Sequence, residues 1–222
     1  MAKASSAYAC TECGWQAPKW VGRCGECQQW GTVAESARPG ATLGKTVSAA
    51  PPSAARAARP ITELSGDAVA HRATGIGELD RVLGGGVVPG AAILFSGEPG
   101  VGKSTLLLDA AARIAAQGAR VLYASGEEST GQIRMRAERT GALHDTLYLA
   151  SENDLATVLG HIDAVQPGLL IVDSVQTLAS DLIDGSAGGP AQVREVAAVL
   201  IRVAKERGLP IILVGHVTKD GS

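Results

Sequence analysis

The chain has 222 residues, 45% of them apolar, with 20 basic against 22 acidic side chains and a formal charge of −2. That is enough apolar material for a sizeable core, and the charge balance by itself gives no sign of a nucleic-acid binder. No apolar run approaches the roughly 20 residues of a membrane span and no signal-peptide core opens the chain, so the expectation is a cytoplasmic protein with no membrane partner.

All four cysteines and all three tryptophans lie in the first 30 residues. Cys10-x-x-Cys13 and Cys24-x-x-Cys27 stand ten residues apart, a spacing at which two knuckles supply four thiolates to one tetrahedral Zn²⁺. In a chain without a secretion signal, metal is favoured over disulfides, and the alternative of a redox dithiol finds no βαβ pattern around either pair. Four thiolates leave no open coordination position. The metal is therefore read as structural, supplying the folding energy of a module too small for a core of its own. Trp15, Trp20 and Trp30 are open to two readings: packing around the metal, expected for at least one, or presenting rings to bases or to a protein.

From 34 to 60 the chain is rich in Ala, Pro, Ser and Gly, with Arg38, Lys45, Arg56 and Arg59, and reads as a flexible linker. The pattern changes at Ile61. A short helical piece near 73–80 and a glycine turn at 83–90 lead to the strand-length run Ala91–Phe95. Gly97-Glu98-Pro99-Gly100-Val101-Gly102-Lys103-Ser104 follows, reading G-x-x-x-x-G-K-S, and then a helical pattern from Leu106 to Ala116. Strand, glycine-rich turn and helix are the context a phosphate-binding loop requires: backbone N–H groups curl around phosphates, Lys103 reaches the β- and γ-phosphates, and Ser104 binds Mg²⁺.

Beyond the loop the alternation is regular. Strands are expected at 120–125, 146–150, 169–173 and 210–215, and helices at 132–140, 155–165 and 193–207. The fold class is thus α/β, a mostly parallel sheet between helices spanning 61–222, behind a four-cysteine module at 1–33 and the linker at 34–60.

Asp173 ends a buried strand and is expected to hold the water-coordinated Mg²⁺. Glu127 and Glu128 follow the strand ending at Ser125. Glu127 is read as orienting or deprotonating the attacking water, and Glu128 as an acid favouring the next helix N-terminus. Arg134, Arg136 and Arg139 read as a solvated basic face, with DNA contact the alternative. The stretch 179–190 reads as a mobile loop. His216 is evenly divided between sensing the γ-phosphate and serving as a hydrogen-bonded structural histidine, with Thr218, Lys219 and Asp220 beyond it.

Several motifs in order then carry a family likeness: Tyr8-x-Cys-x-x-Cys-Gly, Pro18-x-Trp20-x-Gly22 before the second cysteine pair, Trp30-Gly31, the segment from Thr74-Gly75-Ile76 to Gly86, Gly97–Thr105, Ser125–Ser129, and Asp173-Ser174-Val175-Gln176-Thr177. Together they resemble the RadA (Sms) family of bacterial DNA-repair proteins over the whole chain except the linker. The resemblance implies a RecA-like P-loop ATPase core that assembles as a homo-oligomeric ring, a hexamer, on single-stranded and branched DNA. It implies DNA-dependent ATPase and helicase-type work, branch migration of recombination intermediates together with the RecA recombinase. By the same likeness Gly97 to Thr105 hold ATP, Lys103, Ser104 and Asp173 serve ATP and Mg²⁺, Glu127 serves hydrolysis, and Cys10, Cys13, Cys24 and Cys27 bind zinc. Family members continue into a Lys-Asn-Arg-Phe-Gly motif and a domain like the Lon protease, so the expectation is a shortened form of that architecture. Two other classes compete: a RecA-like phosphotransferase of the circadian-clock type, which shares the paired glutamates, and a non-catalytic zinc and nucleotide adaptor. The cysteine module argues against the first, and Lys103, Asp173 and Glu127 against the second.

Overall fold

A computed structural model describes residues 8–35, 57–63 and 70–216. They fall into two compact units, within 1–65 and 66–222. Most of the expected linker lies outside the described residues, as do Thr218, Lys219 and Asp220.

The first unit is a three-stranded antiparallel sheet in which β1 (Tyr8–Cys10) runs between β2 (Gln16–Ala17) and β3 (Val33–Glu35). Ala34 and Glu35 pair with Ala9 and Tyr8, so the sheet continues two residues past the limit expected at 33. Small and polar residues there give no apolar signal, and the partner strand decides. Cys10, Cys24 and Val33 form the buried cluster, with Tyr8, Trp15 and Val21 packed against it.

The second unit opens with α1 (Gly77–Val82) and then alternates: β4 (Ala92–Gly97), α2 (Lys103–Ala116), β5 (Val121–Ser125), α3 (Thr130–Thr140), β6 (Leu147–Ser151), α4 (Leu155–Val165), β7 (Leu169–Asp173), α5 (Pro190–Arg207) and β8 (Ile211–His216). All five strands are parallel, in the order β4-β8-β7-β5-β6. Every residue of β5 and β7 is buried, as expected for continuous apolar runs covered on both faces. The two-residue strand period divides the core. Val121, Tyr123, Leu169, Ile171, Ile212 and Val214 pack on one face with Leu107, Leu108 and Ile114 of α2. Leu122, Leu170, Val172, Ile211 and Leu213 pack on the other with Val158 of α4 and Leu200 of α5.

The helix expected at 155–165 is found there as α4, and the short one expected near 73–80 starts later, at Gly77. By contrast, α3 and α5 start earlier than apolar periodicity places them, because their first residues set the start. Ser129 and Gln132 form a reciprocal capping box, so α3 begins at Thr130 rather than Gln132, and Pro190 at the first turn starts α5 three residues before Val193. The stretch 179–190 is less loose than its composition suggests. The Gln192 side chain, 2% exposed, accepts from Ser180 N–H and donates to the carbonyls of Ser180, Ile183 and Gly185, while Leu182 is left exposed. Among the described residues, no helix is long and apolar enough to cross a membrane.

Candidate nucleotide site and metal module

Register brings the carboxyl ends of four strands together. Gly97 of β4 pairs with His216 of β8, and Ser125 of β5 pairs with Asp173 of β7, while β8 and β7 are neighbours. Open parallel sheets bind ligands at this edge. The loop from Gly97 to Gly102 leads straight into α2, with Gly102 at φ 92° in the left-handed region that a side chain would oppose. Lys103 is 6% exposed, and its Nζ donates to the Gly97 and Glu98 carbonyls, each at 2.8 Å. Ser104 follows half-buried, while Thr105 and Gly102 line an open groove of about 680 Å³ together with Leu106, Asp109, Arg113 and Thr140. Glu98, Pro99, Gly100 and Val101 are all exposed on the loop.

A hydrogen-bonded chain joins these ends. His216 Nδ1 lies 3.4 Å from Lys103 Nζ, and its Nε2 lies 3.0 Å from Glu127 Oε1. Glu127 Oε1 also accepts from Ser174 Oγ at 2.6 Å. Gln176 Nε2 donates to the His216 carbonyl and so fixes the end of β8. Ser125 Oγ accepts from the N–H groups of both Glu127 and Glu128, which turns the chain off β5. Ser174 follows Asp173 through a cis peptide. Lys103, Glu127 and His216 therefore meet at one edge, with Asp173 beside Ser174.

Asp173 is 3% exposed. Its Oδ2 accepts from the Tyr123 hydroxyl at 2.5 Å, while its Oδ1 is buried without a protein partner. Burial, reinforced by the Asp173 charge, pushes the Tyr123 phenol well above its usual range, so it is a donor throughout neutral pH.

Two expectations change here. Glu128 does not serve the helix N-terminus, which Ser129 caps; its Oε1 accepts from Arg136 Nη1 at 2.6 Å. Arg136 in turn is not solvated, with only 14% of its side chain exposed, whereas Arg134 is exposed and pairs with Glu138. Sequence reading gives Tyr123 no role, and it takes in Ser174 and Gln176 only as part of the Asp173–Thr177 family motif, with no contact assigned to either. The available signals were a lone phenol inside an aliphatic strand and a serine directly after the acidic strand end.

In the N-terminal unit, one sulfur from each of Cys10, Cys13, Cys24 and Cys27 lies within 4.8 Å of all the others. The Cys10–Cys27 and Cys13–Cys24 Sγ separations are 3.7 and 3.5 Å. A tetrahedron with Zn–S near 2.3 Å has edges of about 3.8 Å, so the donor set fits Zn²⁺. The thiols are unequal. The Thr32 hydroxyl beside Cys10 holds it at about 6, whereas for Cys27 the Gln29 N–H is outweighed by burial and the neighbouring sulfurs, which push it up to about 12. Four sulfurs this close cannot all be thiolate without a cation among them. Trp15 packs over Gly25, where an added Cβ would stand 2.5 Å from the indole, while Trp20 and Trp30 are 62% and 74% exposed. Arg23 lies over the Trp30 ring at 5.8 Å.

Comparison with known proteins agrees with both units. A family model described as an AAA domain matches residues 57–222, and one described as a rubredoxin metal binding domain matches 8–35. The N-terminal unit is a zinc-binding module with four cysteines. The DNA repair protein RadA of Mycolicibacterium smegmatis is 53% identical over 230 residues, covering 99% of this chain and 48% of that protein. RadA of Mycobacterium tuberculosis strain H37Rv is 52% identical over 224 residues, covering 100% and 46%. RadA of Pseudomonas aeruginosa is 41% identical over 230 residues, covering 100% and 49%. The chain spans about half the length of the curated relatives it matches.

Proposed function

The chain belongs to the AAA-domain family, as a RadA-type member with an N-terminal zinc-binding module, and on that premise we propose that it is a DNA-dependent ATPase of recombinational DNA repair. The observation that carries the reading is the chain of contacts from Lys103 through His216 to Glu127 and Ser174, beside Asp173 and directly under a G-x-x-x-x-G-K-S loop.

That geometry supports the following division of roles. Backbone N–H groups between Gly97 and Thr105, except at Pro99, which has none, and those of the first turn of α2 attract phosphate oxygens, and Lys103 exchanges its loop carbonyls for the β- and γ-phosphates. Ser104 and Asp173, whose Oδ1 is buried without a protein partner, are the residues that would hold Mg²⁺, which would supply positive charge to offset that of the triphosphate. Glu127 has both of its bonds on Oε1, which leaves Oε2 to orient a water and accept its proton. His216, touching both Lys103 and Glu127, couples the phosphate side of the site to the water side.

Single-stranded and branched DNA as substrates, branch migration with RecA, helicase-type work and a hexameric ring extend the same reading to the whole protein. The RadA relatives are described as DNA repair proteins, which supports the repair setting; the substrates, RecA and the ring are what the family resemblance implies.

The test is ATP turnover by the chain with and without single-stranded DNA, beside Lys103→Ala. We expect DNA to stimulate turnover and the substitution to lower it by about a hundredfold or more, the scale of removing one preorganised electrostatic contact. Turnover that ignores Lys103 would place hydrolysis elsewhere and overturn the assignment.

A further inference from the structure

Tyr123 occupies the middle of β5 with no exposed surface. Its neighbours in β5 and β7 are Leu, Ile, Val and Ala, and a phenylalanine would fill the same space. The hydroxyl adds a buried polar atom, which costs free energy unless it is bonded. Its hydrogen-bond partner is Asp173 Oδ2, at 2.5 Å. Register explains the reach: Tyr123 lies opposite Ile171 and Ser125 opposite Asp173, so the phenol leans one step along the sheet toward its carboxyl edge. The backbone at that position is also held, since Gly126 N–H donates to the Asp173 carbonyl. Asp173 thus has one oxygen engaged from below, while Oδ1 is buried with no protein partner.

We propose that Tyr123 is a positioning residue for the metal: by engaging Oδ2 it fixes the Asp173 carboxylate and leaves Oδ1 as the oxygen offered to Mg²⁺ or to its water. The proposal rests on Asp173 being the metal carboxylate. An outer partner of a ligating carboxylate orients it, and losing such a partner commonly weakens metal affinity by about 10- to 100-fold.

The experiment measures the affinity of the full chain for a fluorescent ATP analogue in EDTA and across a Mg²⁺ titration, in the parent, Tyr123→Phe and Asp173→Asn. For Tyr123→Phe the expected result is unchanged affinity in EDTA, a lowered melting temperature because the buried Asp173 Oδ2 loses its donor, and a Mg²⁺ midpoint raised about tenfold. Asp173→Asn should raise the midpoint at least as far. Tyr123→Met, which also deletes the hydroxyl, replaces the phenylalanine variant if that one does not fold. A raised midpoint in Asp173→Asn alone would overturn the role of Tyr123 and leave Asp173 as the metal carboxylate. An unchanged midpoint in Asp173→Asn would remove the Asp173 assignment and the proposal with it. Equal weakening with and without Mg²⁺ in the tyrosine variants would make the phenol a packing residue only, and would also overturn the proposal.

Discussion

A Cβ on Gly126 would stand 2.3 Å from the Thr177 hydroxyl and 2.6 Å from the Thr177 Cβ, and Thr177 cannot simply swing away because its hydroxyl donates to the Ser174 carbonyl at 2.7 Å. Glu127 follows Gly126 directly. Gly126→Ala should therefore push Glu127 off Ser174, leaving ATP affinity within a few fold but lowering turnover by about a hundredfold, the cost of misplacing a reacting group by an ångström. Unchanged turnover would show that Glu127 does not need this seat. Residues of this kind mark what the sequence could and could not disclose. Lys103 is legible because its glycines lie beside it, and Asp173 because it ends an apolar run. Tyr123, Ser174 and His216 find their partners 50, 47 and 89 residues away, and no local pattern encodes such pairings.

At the scale of elements, strands and helices follow from apolar periodicity, and the starts of α3, α4 and α5 follow from Ser129, Asp154 and Pro190. Asp154 caps α4: its carboxylate accepts from the Thr157 hydroxyl and from the N–H groups of Thr157 and Ala156, which together hold its pKa below the usual 3.8. Because the folded value is depressed, its contribution to stability is fully present above the unfolded value and fades as pH falls through the folded one. Asp154→Ala should cost about 1 kcal/mol at neutral pH, with the gap between variant and parent narrowing below pH 3.8. A gap of constant size down to the acid limit would mean that the cap works through shape rather than charge. The same logic explains where sequence reading stopped short. The apolar stripes of α3 and α5 begin inside the helices, whereas Ser129 and Pro190 fix their true beginnings. The loop at 179–190 looked free because its anchor, Gln192, lies in the next helix.

At the scale of the molecule, the α/β alternation and the cysteine spacing were readable, but the strand order β4-β8-β7-β5-β6 was not, since it depends on which parallel neighbours bury most side-chain area. That order puts His216 beside Gly97 and Asp173 beside Ser125, and so makes one site from four separate strand ends. The central claim is that this edge binds and cleaves ATP with divided labour, Lys103 for binding and Glu127 for the attacking water. Its most direct test is ATP affinity together with single-turnover cleavage of prebound ATP, in the parent, Lys103→Ala and Glu127→Gln. The account predicts that Lys103→Ala loses affinity, whereas Glu127→Gln binds as the parent does and cleaves about a hundredfold or more slowly, the range of a general base. Parent-like cleavage by Glu127→Gln, or parent-like affinity in Lys103→Ala, would contradict it.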